Sequence, residues 1–133
     1  MNPTLRNILA VVLGAIACLL LNGLLLGLMM KAMPPPVGFD PNVMSTYVLL
    51  ENRHFLSPFV AHAVPSLIGG MIAALIAADR KMTFGLTVGG LHLLGGIAAA
   101  FMIPAPTWFV VLDLVVAYLP MAWIGARLGG AQR

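Results

Sequence analysis

The chain has 133 residues, of which 61% are hydrophobic and only 8% are charged, and its formal net charge is +3. Soluble domains carry roughly 25% charged residues, so this composition excludes a water-soluble domain and indicates a single domain in a lipid bilayer. The basic residues are scattered at the ends of apolar runs, which excludes a basic stripe that binds nucleic acid.

Four apolar runs predict an all-α integral membrane bundle of four transmembrane helices. Each run has about the 20 residues that a helix needs to cross roughly 30 Å of hydrocarbon, whereas barrel strands are shorter and alternate in polarity. The predicted spans are residues 8–30, 58–78, 82–103 and 108–128, within one domain covering residues 1–133. Short connections between the last three spans make them antiparallel neighbours.

The connection between the first two spans, residues 31–57, is longer and has structure of its own. It contains the stiff, extended run Pro34–Pro36. Asp40 then has the pattern of a helix N-cap followed by proline. Apolar residues recur at helical spacing after it, although Glu51 interrupts their stripe. We therefore predict a short amphipathic helix over about Pro41–Asn52, lying at the extracytoplasmic surface of the membrane.

The distribution of Lys and Arg predicts that both termini are cytoplasmic. Four spans place the two termini and the second connection on one side, and that side has five basic residues against two on the other. Basic residues accumulate on the cytoplasmic side of a membrane. The five are Arg6, Arg80, Lys81, Arg127 and Arg133, and the two are Lys31 and Arg53. The chain is therefore predicted to be a multi-pass plasma-membrane protein whose long loop faces outside.

Polar side chains inside the spans are the candidate functional residues, because a polar group in hydrocarbon is unfavourable unless it has a partner. They are Asn22, His62, Ser66, His92, Asp113 and Tyr118. With a rise of about 1.5 Å per residue, His62 is expected about 6 Å and His92 about 16 Å below the outer surface. Most of the set is therefore expected in the outer half of the bilayer.

Asp113 is the candidate with the strongest need for a partner. The possible partners are His62, His92, Asn22 and Tyr118. Two interpretations remain open. In the first, Asp113 forms a hydrogen bond to histidine or asparagine and fixes the packing of the bundle. In the second, Asp113 and His92 exchange protons or bind a cation during transport. Pro120 lies further along the same span and predicts a kink there.

Small residues recur at helical spacing on the second and third spans. They are Gly69, Ala73 and Ala77 on the second, and Gly85, Gly89 and Gly96 on the third. Small residues let helix backbones approach closely in lipid, so these faces are predicted to pack against other helices.

No catalytic, cofactor-binding or metal-binding motif is recognisable. A phosphate loop, a nucleophile elbow and paired catalytic carboxylates are all missing from the sequence. A haem between His62 and His92 is disfavoured by their expected depth difference of about 10 Å, and zinc would need both histidines and Asp113 to converge. The single cysteine, Cys18, is interpreted as a small buried apolar side chain, with a lipoprotein cleavage site as the weaker alternative. We expect no enzyme and no cofactor.

Two stretches resemble a group of small uncharacterised bacterial four-span membrane proteins. The first is His62-Ala63-Val64-Pro65 through Gly69-Gly70, and the second runs from Gly95-Gly96 to Met121-Ala122-Trp123 around Pro104-Ala105-Pro106-Thr107-Trp108-Phe109. The resemblance covers roughly the C-terminal half and implies a bacterial inner membrane. It brings no known activity and no assigned site.

The leading hypothesis for function is a non-enzymatic accessory or interaction subunit, which packs through glycine-rich faces against itself or another membrane protein. The alternative is a small oligomeric, proton-linked transporter or channel that uses Asp113 and His92. The two hypotheses differ in one structural expectation. A transporter needs polar residues along a cavity, whereas an interaction subunit needs only dry helix contacts.

Overall fold

The computed structural model describes residues 1–132, which form an all-α fold without strands. Its helices are α1 (Pro3–Ala32), α2 (Leu56–Ile76), α3 (Lys81–Met102), α4 (Thr107–Val116) and α5 (Leu119–Leu128). α4 and α5 together form the fourth of four helical segments that are long and apolar enough to cross a membrane. The predicted all-α, four-span architecture is thereby confirmed at this level. Arg133, which contributed to the charge count, lies outside the described residues.

The surface of the bundle is made mostly of large apolar side chains and its interior mostly of small ones. Leu20 is 69% exposed and Phe101 is 89% exposed, whereas Ala10, Ala73 and Ala122 are fully buried. A soluble protein buries its large apolar side chains. The reverse arrangement is favourable in lipid, where acyl chains solvate large apolar side chains and close backbone packing holds the helices together.

Glycines bring the helices into backbone contact. At Gly70, an added Cβ would lie 2.6 Å from the carbonyl oxygen of Ala122 on α5, and at Gly125 it would collide with the carbonyl of Leu67 on α2. The six packing residues expected from the sequence are all buried: Gly69, Ala73, Ala77, Gly85, Gly89 and Gly96. The four glycines among them contact neighbouring helices of this same chain. Contact with another protein would therefore have to use a different face.

Both described chain termini lie at one end of the bundle, which we call the terminus end. Near the start of α1, Asn7 accepts a hydrogen bond from the backbone N–H of Ala78 (2.8 Å) and donates one to Asp79 (2.9 Å). At the other terminus, Ala131 packs against Ala74 on α2. The opposite end, formed by residues 33–55 and the α3–α4 connection, is called the loop end.

The long connection is folded at the loop end, but not as predicted. Two 3-10 helices, Met44–Leu49 and Asn52–Phe55, replace the single amphipathic helix expected over Pro41–Asn52. The second of them continues directly into α2 at Leu56. The helical segment that contains His62 therefore begins earlier in the chain than the predicted span boundary.

Local hydrogen bonds explain why residues 40–46 do not form an α-helix. The Asp40 carboxylate accepts from the backbone N–H of Asn42 (2.8 Å), and the Thr46 hydroxyl donates to the Asp40 carbonyl (2.8 Å). Short-range bonds between side chains and backbone compete with the α-helical pattern. These bonds stabilise short turns in place of the first turn of an α-helix, and a 3-10 helix follows.

The fourth span is interrupted near its middle. α4 ends at Val116 and α5 begins at Leu119, with Tyr118 between them in a non-helical conformation (φ −108°, ψ −81°). Pro120 has no N–H for the carbonyl of Val116, so the kink expected at this proline takes the form of a break. In a regular helix, two residues five apart point about 140° away from each other. The break lets Tyr118 turn toward Asp113.

Candidate functional site

All six polar residues singled out in the sequence meet between the helices, together with Cys18. They form two adjoining groups. The carboxylate cluster consists of Asp113, His62 and Tyr118. The imidazole cluster consists of His92, Ser66, Asn22 and Cys18.

Asp113 is the centre of the carboxylate cluster. It is only 5% exposed, and Nδ1 of His62 lies 2.9 Å from both of its carboxylate oxygens. The Tyr118 hydroxyl donates to Oδ2 at 3.0 Å. Of the possible partners expected from the sequence, Asp113 therefore pairs with His62 and Tyr118, and not with His92 or Asn22.

The Tyr118 ring is held in place from two sides. It is fully buried and stacks on the His62 ring with the ring centroids 5.4 Å apart. On its other side it packs against Gly96 of α3, where any Cβ would overlap the phenol. Gly96 was expected to bring two helices together, and here it makes room for the ring that reaches Asp113.

His92 is the centre of the imidazole cluster. Its Nδ1 lies 2.8 Å from the Ser66 hydroxyl and 3.2 Å from the Cys18 sulfur. Its Nε2 lies 3.3 Å from the side-chain nitrogen of Asn22. The Ser66 hydroxyl donates its proton to the carbonyl of His62 (2.8 Å), which connects this cluster to the helix turn that carries the carboxylate cluster.

A proline creates the anchor for Asn22. Pro65 has no N–H, so the carbonyl of Ala61, four residues earlier in α2, lacks its usual helical donor. Asn22 on α1 donates to this carbonyl at 2.8 Å. Among residues 1–132, no buried side-chain nitrogen or oxygen is left without a hydrogen-bond partner.

These bonds determine which nitrogen of His92 carries the proton. The amide nitrogen of Asn22 faces the carbonyl of Ala61, so it must also be the donor toward Nε2 of His92. Nε2 is then an acceptor, and the proton lies on Nδ1, where it faces the Ser66 oxygen. Both nitrogens of a neutral His92 are engaged, so neither could ligate a metal without giving up a hydrogen bond.

The contact between Cys18 and His92 has the composition of a nucleophile and its base, but not the required protonation. A base must accept a proton from the thiol. The nitrogen nearest the sulfur is Nδ1, which already carries its proton toward Ser66. The pair is therefore placed for packing rather than for nucleophilic catalysis.

The two histidine rings lie much closer together than expected. Their centroids are 5.9 Å apart, so the depth difference of about 10 Å obtained by counting residues is wrong. The count began at Pro58, whereas the helical segment begins at Asn52, and His62 consequently lies deeper. Within residues 1–132, no three His, Cys, Asp or Glu side chains are arranged to share a metal ion.

A cavity of about 230 Å³ extends from the loop end down to the carboxylate cluster. Its walls are mostly apolar, and its polar lining residues include His54, Ser57, His62 and Asp113. The imidazole cluster does not line it. The polar residues are thus divided between a cavity and a contact between helices.

Toward the terminus end, the helices close tightly below the polar clusters. Gly14 and Gly69 bring α1 against α2, and Gly70 and Gly125 bring α2 against α5, all at backbone distance. The cavity therefore ends at Asp113 instead of continuing through the bundle.

Two residues in the network were not assigned a role in the sequence. Cys18 was interpreted as a small buried apolar side chain or, as the weaker alternative, a lipoprotein cleavage site, and Pro65 was named only as part of a resemblance. Cys18 precedes Asn22 by four residues and so shares its helix face. That spacing is the signal that would have placed it beside the partner of Asn22.

Comparison of the chain with protein-family models, with curated proteins and with solved structures found no match. The function is therefore inferred from the polar clusters and the cavity.

Proposed function

We propose that this protein is a small proton-linked membrane transporter in which Asp113 and His62 exchange a proton each time the cavity opens, with or without a solute bound in it. One observation carries the proposal: a buried carboxylate, hydrogen-bonded to a histidine, lies at the closed end of a cavity. Ionisable residues inside a membrane are unfavourable and mark ion or proton pathways. His62 takes the role that the sequence suggested for His92, because both nitrogens of His92 are already engaged.

The helices around the site are suited to movement. Pro65 in α2 lies one residue from Ser66, and the α4–α5 break lies at Tyr118, so both irregularities flank the polar clusters. Discontinuous helices at the binding site are a recurring feature of transporters. For a solute to pass, α2 and α5 would have to separate at the tight contacts below Asp113.

The proposed orientation places the terminus end in the cytoplasm of a bacterial inner membrane. The described basic residues support it, since most lie at the terminus end. Those at the terminus end are Arg6, Arg80, Lys81 and Arg127, and those at the loop end are Lys31 and Arg53. The cavity would then receive its solute from the outside. The resemblance to bacterial four-span proteins supports the choice of membrane.

Proton entry into liposomes tests the proposal. Purified protein is reconstituted with the pH-sensitive dye pyranine inside, and a potassium gradient with valinomycin drives protons inward. We expect protein-dependent acidification that falls to the rate of protein-free liposomes in Asp113→Asn. The matched control is Asp79→Asn, which changes an exposed carboxylate at the terminus end and should leave the rate unchanged.

Folding is checked separately by unfolding each variant in detergent. If Asp113→Asn does not fold, His62→Gln replaces it as the test variant. An Asp113→Asn protein that folds and acidifies the liposomes at the wild-type rate would overturn the proposal. So would a wild-type protein that acidifies them no faster than lipid alone.

A second candidate function is an interaction subunit, and one observation favours it. Gly23 and Gly27, one turn apart on α1, are exposed, and an added Cβ on either would meet nothing within 4 Å. A Gly-x-x-x-Gly pair on an outward face suits close packing against a second transmembrane helix. This face replaces the glycine-rich faces of α2 and α3, which are used inside the bundle.

Particle mass in a mild detergent tests this candidate. Gly23→Leu with Gly27→Leu should convert an oligomer or a complex into the single chain. Gly90→Leu with Gly95→Leu is the matched control, because these glycines of α3 also face open space. A wild-type protein that is strictly monomeric and recovers no stoichiometric partner would contradict it.

A further inference from the structure

The deep end of the cavity offers one imidazole nitrogen without a partner. Nδ1 of His62 faces the Asp113 carboxylate, while Nε2 has no hydrogen-bond partner within residues 1–132. Every buried side-chain nitrogen and oxygen in that range is paired, so Nε2 must face open space, and the side chain lines the cavity. Nε2 accepts a hydrogen bond when His62 is neutral and donates one when it is protonated.

The part of the cavity nearest the loop end offers hydrogen-bond donors. Nδ1 of His54 accepts from the backbone N–H of Glu51 at 3.0 Å, so the proton of neutral His54 lies on Nε2. That N–H has no partner within residues 1–132, so the nitrogen itself must reach open space. The residue as a whole is only 7% exposed and lines the cavity. The hydroxyl of Ser57, a residue that is 4% exposed, likewise lines the cavity without a partner in the described chain.

The space between these ends is apolar and small. Its walls include Met30, Phe39, Phe55, Phe109 and Leu114. The eight residues from His54 to His62 rise by roughly 12 Å along the helix. A cavity of about 230 Å³ is below the range for drug-sized ligands and holds on the order of ten non-hydrogen atoms.

We infer that the cavity binds a small lipophilic alcohol that carries a hydrogen-bond acceptor, such as a carbonyl, at its opposite end. The hydroxyl lies against His62 and the acceptor against His54 and Ser57. The inference rests on the proposed transport function in one respect. If His62 changes its protonation during transport, the group beside it must both donate and accept, and a hydroxyl does both.

Three probes of equal size test the inference by direct binding to the protein in detergent. The first, 4-(hydroxymethyl)acetophenone, has both groups. In 4-ethylacetophenone a methyl replaces the hydroxyl, and in 4-isopropylbenzyl alcohol an isopropyl group replaces the acetyl group. Binding is measured by ligand-observed NMR. We expect the first probe to bind about five- to tenfold more tightly than either of the others, as the loss of one hydrogen bond implies.

Protein variants separate the cavity from the detergent micelle. Ala99→Leu fills the cavity and should abolish binding, whereas Ala98→Leu, on the exposed face of α3, should leave it unchanged. His54→Leu should reduce the advantage of the acetyl group, since only the Ser57 hydroxyl then remains as a donor, and should keep that of the hydroxyl.

Equal binding of all three probes, or binding that survives Ala99→Leu, would overturn the inference and indicate an acyl chain of lipid or detergent as the occupant. The outcome is independent of proton entry. Selective binding without proton entry would overturn transport but support the ligand class. Proton entry without selective binding would support transport but overturn the ligand class.

Discussion

Asn22 on α1 supplies the hydrogen bond that Pro65 on α2 removes. The proline leaves the carbonyl of Ala61 without a helical donor, and the asparagine amide donates to it at 2.8 Å. The same amide faces Nε2 of His92. One missing N–H in the backbone of α2 therefore fixes α1 against it and determines the tautomer of a histidine on α3.

A double-mutant cycle tests this relationship. Asn22→Leu should lower the free energy of unfolding by about 1 kcal/mol, as is typical of interhelical hydrogen bonds in membranes. Pro65→Ala returns an N–H to the Ala61 carbonyl. In that background, Asn22→Leu should therefore lower the free energy of unfolding by a measurably smaller amount. Denaturation in mixed micelles gives the four values. Equal costs in the two backgrounds would show that the asparagine does not act through this carbonyl.

The hydroxyl of Tyr118 should contribute to stability through Asp113. Tyr118→Phe leaves the ring in place but removes one donor from a buried carboxylate, and we expect a loss of about 1 kcal/mol in unfolding free energy. The control is Tyr47→Phe, whose hydroxyl bonds to the carbonyl of Pro41 in the exposed loop. Its effect should be smaller. Comparable losses for the two variants would count against a special role of the buried bond.

Gly125 and Gly90 should respond in opposite ways to substitution by alanine. A Cβ at Gly125 collides with the backbone of α2 at Leu67, whereas a Cβ at Gly90 meets nothing within 4 Å. We expect Gly125→Ala to lower the unfolding free energy by about 1–3 kcal/mol. Gly90→Ala should leave it unchanged or raise it by up to about 1 kcal/mol, because alanine favours the helix. A tolerated Gly125→Ala would contradict the close α2–α5 contact.

Gly96→Ala should act on the carboxylate cluster through Tyr118. The new methyl occupies the place of the phenol ring, so the ring must move away from Asp113, and unfolding free energy should fall by about 1–3 kcal/mol. In a Tyr118→Ala background the same substitution should have little effect. Gly95→Ala, which faces open space, is the control. If Gly96→Ala is equally harmful without the tyrosine ring, its effect comes from helix packing alone.

The four apolar spans and their helical type were predictable because each depends on local composition. A run of about 20 apolar residues needs its backbone satisfied internally, and only a helix does this within one segment. The polar residues within the spans could be read from the same apolar runs, whereas the buried His54 and Ser57 at the loop end were not among the predicted residues. The choice of partner for Asp113 was not, since it depends on the break that turns Tyr118 inward and on where the helical segment of His62 begins.

The folded connection at the loop end shows a second limit. Apolar spacing after Asp40 suggested one amphipathic helix, but hydrogen bonds of Asp40 and Thr46 form short turns instead. Such bonds depend on individual side-chain rotamers, which a repeating apolar pattern does not encode. The cavity beneath this connection was unpredictable because it requires the positions of four helices at once.

The contrast between the void at one end and the glycine contacts at the other has a mechanical consequence. We expect the half of the molecule nearest the termini to be the stiffer one, since its helices meet backbone to backbone, and the opposite half to be the more compliant because a cavity lies between its helices. A bilayer that thins or is stretched will therefore deform the compliant half first. Bilayer tension, which pulls on both leaflets, would reach Asp113 from one leaflet only.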